Sequence, residues 1–220
     1  MIVSQSLRRP IMDEQSYLLR QSAEFASATL SRICASHMFR TLGHTKQVVR
    51  ASRTIGRASK LTGEPLDTVT IAAWFHDLGH VDGVRHHEER SASIAAKMLA
   101  TWGANSKIIE DVSRCVRATK LPQNPKDILS MILCDAVVSQ LVSPGDGIRA
   151  SWLRTEQEAS PDCKLEGQHV WYQRNIEFLN KHQYFTEYGK EILDRRKKIH
   201  LIKITQQLHG RPRAAIIETN

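Results

Sequence analysis

Three features of this 220-residue chain predict an all-α fold. Apolar residues recur at mixed three- and four-residue spacing in almost every segment. No run alternates apolar and polar residues as a half-buried strand does. Start and stop signals divide the chain into helix-length pieces. The composition, 41% hydrophobic and 25% charged, is that of an ordinary globular protein, and the length suffices for one sizeable core.

The first helix is expected between Ile11 and Phe39, where Leu18, Phe25, Ala28, Leu30 and Ile33 follow an amphipathic pattern. FRTLGH then turns through Gly43 into a second helix, with His44 in its first turn and Val48, Ser52 and Ile55 along the same face. TGEPLD starts a third, with Thr62 as cap and Pro65 in the first turn, where its missing N–H costs nothing. This helix runs through Val69 and Ala72 to Asp77 and is expected to stop near Gly79, since glycine takes the left-handed stop conformation readily. His76 and Asp77 then occupy its last turn.

After the polar loop HVDGVRHHEE, a fourth helix passes through Ile94 and Leu99 and ends at Gly103. A fifth, capped by Ser106, carries Ile108, Val112 and Val116. KLPQNP offers Asn124 as cap and Pro125 as first-turn residue for a sixth helix, on which Met131, Ile132 and Asp135 share a face. Residues 145–166 contain SPGDG and ASPD and read as a weak junction. The chain therefore divides into a helical core with its N-terminal helix over 1–145 and a C-terminal helical extension over 146–220. The extension's two helices, 168–181 and 186–209, either complete the core or mediate assembly, for which a homodimer is one form. The last ten residues are expected to fray.

The net charge of +8 is uneven. Residues 1–60 carry 10 Lys/Arg against 3 Asp/Glu, residues 161–220 carry 11 against 7, and the hundred between carry 10 against 13. The basic ends suit phosphate-rich ligands, RNA or acidic lipid headgroups, although most of these residues read simply as a solvated basic surface. A nucleic-acid partner is not expected, because aromatics make up only 6% of the chain and are not interleaved with its cations. No apolar run is long enough to span a bilayer, and MIVSQSLRRP lacks the features of an export signal, so a cytoplasmic location is expected. Cys34, Cys115, Cys134 and Cys163 show no CxxC spacing, which suits reduced thiols.

The segment AAWFHDLGH raises the chemical question. It places His76, Asp77 and His80 directly after a buried apolar run, and burying such groups unpaired costs several kcal/mol. They must pair with one another or bind a metal. His44, His76, Asp77 and Asp135 come from three helices, and all are metal-ligand types. An imidazole and carboxylate set suits a borderline or hard divalent cation.

In that order, with FRTLGHT before and ILCDAVV after, these residues resemble the HD-domain superfamily of metal-dependent phosphohydrolases over residues 38–142. The segment from Trp171 to Lys198 is similar to the extension of bacterial HD proteins linked to cyclic-nucleotide signalling. The resemblance implies a helical HD bundle with His44, His76, Asp77 and Asp135 as ligands of a divalent metal, be it Mn, Ni, Co, Zn, Fe or Mg. One tightly bound ion is expected, with His86 or His87 as the candidate ligands of a weak second ion. It implies a phosphohydrolase acting on a nucleotide or cyclic nucleotide through a metal-activated water, as a phosphodiesterase or phosphomonoesterase. Asp77 would also be the base, with His80 as an alternative base or acid.

Arg40, Lys46, Arg85 and Lys120 are candidates for phosphate contacts. Arg40 stands where cyclic-nucleotide phosphodiesterases carry a general-acid histidine, and arginine does not give up its proton. Val137 replaces the second acid of the DAD found in related families, and VRATK lacks a histidine that two-metal members carry. Two other readings stay open: a metal-stabilised nucleotide sensor or partner-binding module, and an HD-type di-iron oxygenase.

Overall fold

The computed structural model describes residues 13–32, 42–82, 85–142 and 168–209. These residues form eight α-helices and no strand. They are α1 (Glu14–Arg32), α2 (Leu42–Ala58), α3 (Gly63–Phe75), α4 (His87–Thr101), α5 (Ser106–Ala118), α6 (Ile128–Ser139), α7 (Gln168–Lys181) and α8 (Asp194–His209). Short 3-10 segments follow α3 (Leu78–Asp82) and α6 (Gln140–Val142), and a π turn (Gly189–Leu193) leads into α8. Arg40, Cys34, Cys163, the 145–166 junction and the last ten residues lie outside the described residues.

Helices α3 and α6 are apolar nearly all round, so the chain surrounds them with amphipathic helices. In α3, Leu66, Val69, Ile71, Ala72, Ala73 and Phe75 are buried, and the helix packs against α1, α2, α5 and α6. In α6 every residue from Ile132 to Ser139 is buried, including Asp135. Helix α2 buries Val48, Val49, Ser52 and Ile55 against α3 and α6 and turns Lys46 and Arg50 to solvent. The C-terminal helices α7 and α8 pack on each other, and α8 reaches the segment after α6.

Several start and stop signals act one or more residues from where the sequence places them. Asn105, not Ser106, caps α5, its side chain accepting from the Ile108 N–H at 3.0 Å. Asp127, not Asn124, caps α6 by accepting from the Ser130 N–H at 3.1 Å. Thr62 has the extended backbone of a cap, but its side chain makes no cap hydrogen bond. Gly103 does take a left-handed φ of 83° after α4.

Gly79 is the instructive case. It lies inside the 3-10 segment and not at a left-handed stop. It is glycine because the start of α4 crosses its backbone: a Cβ would collide with the His87 carbonyl oxygen and stand 2.7 Å from the Ser91 nitrogen.

Candidate metal centre

α3 ends at Phe75, so His76 caps it and Asp77 lies in the turn beyond, not inside the helix. The 3-10 segment then carries His80 back toward Asp77. Two bonds fasten this segment to α4, and a third ties the turn before α4 to the arginine that makes one of them. The Gly79 N–H donates to Ser91 Oγ at 2.8 Å, Arg90 Nε donates to the Gly79 carbonyl at 2.8 Å, and the Arg90 guanidinium also reaches the Arg85 carbonyl. Close packing at Gly79 therefore brings the first residue of α4, His87, over His80. Their rings stack at 3.6 Å between centroids and 22° between planes.

Asp77 is the centre of the arrangement, with each carboxylate oxygen facing a pair of imidazoles. Oδ2 lies 3.3 Å from His76 Nε2 and 3.5 Å from His44 Nε2. Oδ1 lies 3.5 Å from His80 Nε2 and 4.0 Å from His87 Nε2. His44 comes from the first turn of α2, so three separate segments converge on one carboxylate. All but His44 are buried, and His44 is nearly so.

The tautomer of His76 follows from its surroundings. Nδ1 lies 2.8 Å from the Ala73 carbonyl, which can only accept, so Nδ1 carries the proton and Nε2 presents a lone pair when the ring is neutral. That Nε2 and Asp77 Oδ2 are both buried and make no hydrogen bond. Burial disfavours the charged form of His76, but the adjacent Asp77 carboxylate outweighs it and raises the pKa above the usual histidine value. Burial likewise opposes ionisation of Asp77, yet His76 and His80 hold its carboxyl well below the usual range. The site is an anion among imidazoles, whose lone pairs a cation would take up.

The donors fit a divalent cation. The ligand atoms of His44, His76 and Asp77 all lie within 4.8 Å of one another, and so do those of Asp77, His80 and His87. Atoms about 2.1 Å from a shared ion are roughly 3.0–3.4 Å apart at octahedral or tetrahedral angles, close to the spacings around Oδ2. Glu88 Oε2 lies 3.4 Å from His87 Nδ1, the carboxylate support that orients ligating histidines. Among the described residues no thiolate competes: burial pushes Cys115 up to about 12 and raises Cys134 as well, and neither forms a disulfide.

Asp135 has different partners. Its Oδ1 accepts from the Phe185 N–H at 2.9 Å, and Oδ2 accepts from the Thr186 N–H at 2.9 Å and Thr186 Oγ at 2.6 Å. Thr186 in turn accepts from the Gly189 N–H at 2.9 Å, and a Cβ at Gly189 would collide with the Asp135 carboxylate. The carboxylate thus fastens the start of the C-terminal helix to α6, and it is not among the atoms grouped around Asp77. No local sequence signal announces this contact, because its partners lie 50 and 51 residues away.

The predicted phosphate contacts differ in placement. Lys46 is exposed on α2, about 200° round the helix from His44. Arg85 is exposed in the turn two residues before His87, and Lys120 is exposed just past α5. His86 is exposed with a left-handed φ of 57°, leaving His87 as the histidine of that pair that joins the centre. The sequence reading left His80 outside any ligand set. Its clustering with His87 depends on the 3-10 turn, which the spacing HDLGH allows but does not require.

Comparison with known proteins gives this arrangement its class. Residues 41–136 match the HD domain. The fold is shared with solved bacterial proteins, one of them a predicted HD superfamily hydrolase. Bacillus subtilis YpgQ, solved in complex with ADP, superposes with a TM-score of 0.64 at 18% identity, covering 91% of this chain and 98% of that one. A predicted HD superfamily hydrolase from an uncultured Thermotogales bacterium gives 0.57 at 18% identity, with 87% and 91% covered. The Lin1889 protein of Listeria innocua gives 0.59 at 18% identity, with 88% and 94% covered. No curated protein matches the chain. Among the described residues, no helix is long and apolar enough to cross a membrane.

Proposed function

We propose that this protein is a metal-dependent phosphohydrolase acting on a nucleotide or cyclic nucleotide phosphoester. The observation that carries the reading is the Asp77 carboxylate, buried and shared between His44 with His76 on one oxygen and His80 with His87 on the other. The ADP complex of YpgQ supports the choice of a nucleotide.

His44, His76 and Asp77 would hold the catalytic cation, and Asp77 with His80 and His87 a second. A divalent cation in such a site supplies Lewis-acid polarisation of a phosphate oxygen and makes a water acidic enough to attack near neutral pH. The chain's own residues do the rest. The Ala73 carbonyl keeps the His76 proton on Nδ1, so its Nε2 lone pair faces Asp77. Asp77, held ionised by His76 and His80, would accept a proton from the attacking water, and His80 is the alternative base or acid where no second cation occupies its Nε2. Arg85, exposed in the turn before His87, would contact a phosphate.

The test is metal analysis of the purified protein together with a phosphate-release screen over linear and cyclic nucleotides with Mn²⁺, Co²⁺, Ni²⁺ or Mg²⁺. Stoichiometric metal with release from one nucleotide class is the expected result. Metal and nucleotide binding without release would favour a sensor, a reading supported by Val137, which is packed in the core where related families carry a second acid.

A further inference from the structure

A cavity whose lining includes none of the four histidines lies between the loop after α5 and the end of α7. It has a volume of about 410 Å³, and its walls include Leu121, Pro122, Gln123, Phe178, His182 and Phe185. That volume is within the range of small-ligand sites, and its lining is mostly apolar and aromatic. We propose that this cavity holds the base of a nucleotide, with the rings as its flat walls and the Gln123 carboxamide reading its polar edge.

The ring geometry favours a planar guest. Phe178 and His182 are nearly parallel, 15° apart with centroids at 5.6 Å, and Phe185 stands at 81° to His182 with centroids at 6.4 Å. Such faces and edges suit a flat aromatic ring, which gains from offset stacking and edge contacts that an aliphatic guest does not make. The imidazole wall is uncharged near neutral pH, because burial and the neighbouring Lys197 hold His182 down at about 4.

The polar groups narrow the guest to a heterocycle. Both the oxygen and the nitrogen of the Gln123 carboxamide are shielded from solvent without a hydrogen-bond partner, as is His182 Nε2. Groups in this state cost free energy until a partner is supplied. Rotation about the last bond of a glutamine is soft, so the carboxamide can exchange its oxygen and nitrogen positions at little cost to match a guest. A carboxamide offers one donor face and one acceptor face, and a nucleobase edge presents the complementary pair. A hydrocarbon would leave both unmet. Lys181, exposed on the same wall, is paired with Glu177 at 2.6 Å, so the recognition rests on the rings and the carboxamide.

The wall is also fixed in place. The Phe185 N–H is bound by Asp135, and Lys197 Nζ donates to the His182 carbonyl at 2.7 Å. In choosing a nucleobase this proposal rests on the nucleotide reading above, but its test does not require turnover.

The experiment uses the full chain stripped of metal with a chelator, titrated with adenosine, guanosine, cytidine or uridine, with ribose as control, by calorimetry and saturation-transfer NMR. Saturable binding of at least one nucleoside, absent for ribose, is expected. Gln123→Leu should weaken it about tenfold. Gln123→Glu, which keeps the shape and removes the N–H donors, should weaken it or change which nucleoside is preferred, and serves if the leucine variant folds poorly. Absence of nucleoside binding, or binding unchanged in both variants, overturns the proposal. Nucleoside binding without phosphate release from any nucleotide would overturn the hydrolase reading and leave the cavity assignment standing. Release without nucleoside binding would do the reverse.

Discussion

His182 makes the stability of this protein depend on mild acid. It lies at the end of α7, buried between Phe178, Tyr184 and Phe185, and Lys197 of α8 adds a positive charge beside it, only partly offset by Asp194. Burial first and Lys197 second lower its pKa from 6.5 to about 4 in the folded protein. The unfolded chain therefore binds a proton at His182 more readily than the folded one. Its stabilising contribution is complete above the unfolded value and is lost as pH falls through the window between 6.5 and about 4. With those two values, lowering the pH from about 7 to about 5 costs roughly 2 kcal/mol at this one residue.

The assay is urea unfolding of chelator-treated protein at the two pH values, for the native chain and for His182→Phe, which keeps an aromatic ring. The difference between their pH dependences isolates His182 from the histidines around Asp77. The native chain should lose about 2 kcal/mol more than the variant. Equal losses in the two proteins would show that His182 is not held neutral by its surroundings, and the argument would be refuted.

Other consequences are equally concrete. Asp77→Ala or His76→Ala should abolish metal retention and any phosphate release together, whereas His87→Ala should lower only the content of a second ion; elemental analysis separates the cases. Asp135→Ala leaves the buried Phe185 and Thr186 N–H groups without their acceptor and should cost about 3 kcal/mol, with faster amide exchange concentrated in residues 185–193. Unchanged exchange there would show that the carboxylate does not fasten the C-terminal helix. Gly79→Ala should cost about 1–3 kcal/mol as an overpacking substitution and loosen metal binding, because relieving its clash moves His80 away from His87. A variant with normal stability and metal content would contradict the role given to that close approach.

Much of this architecture is written in local pattern. Helical periodicity, capping residues and the lack of alternating strands determine an all-α chain, since they depend on side chains three and four positions apart. The order of His44, His76, Asp77 and Asp135 around apolar helices resembles the HD domain, and burial of ionisable groups signals by itself only that they need partners. Exact caps were less legible. Asn105 and Asp127 prevailed over their neighbours Ser106 and Asn124 through backbone geometry that composition alone does not reveal.

Tertiary structure decided what the ligand set does. Only the crossing of α4 over Gly79 stacks His87 on His80 and gives Asp77 a second pair of imidazoles. Only the return of the chain some 50 residues later gives the Asp135 oxygens to Phe185 and Thr186. Sequence on its own determined which residues must avoid water. Which of them meet depends on long-range packing, where a single missing Cβ at residue 79 or 189 sets the distance between two elements.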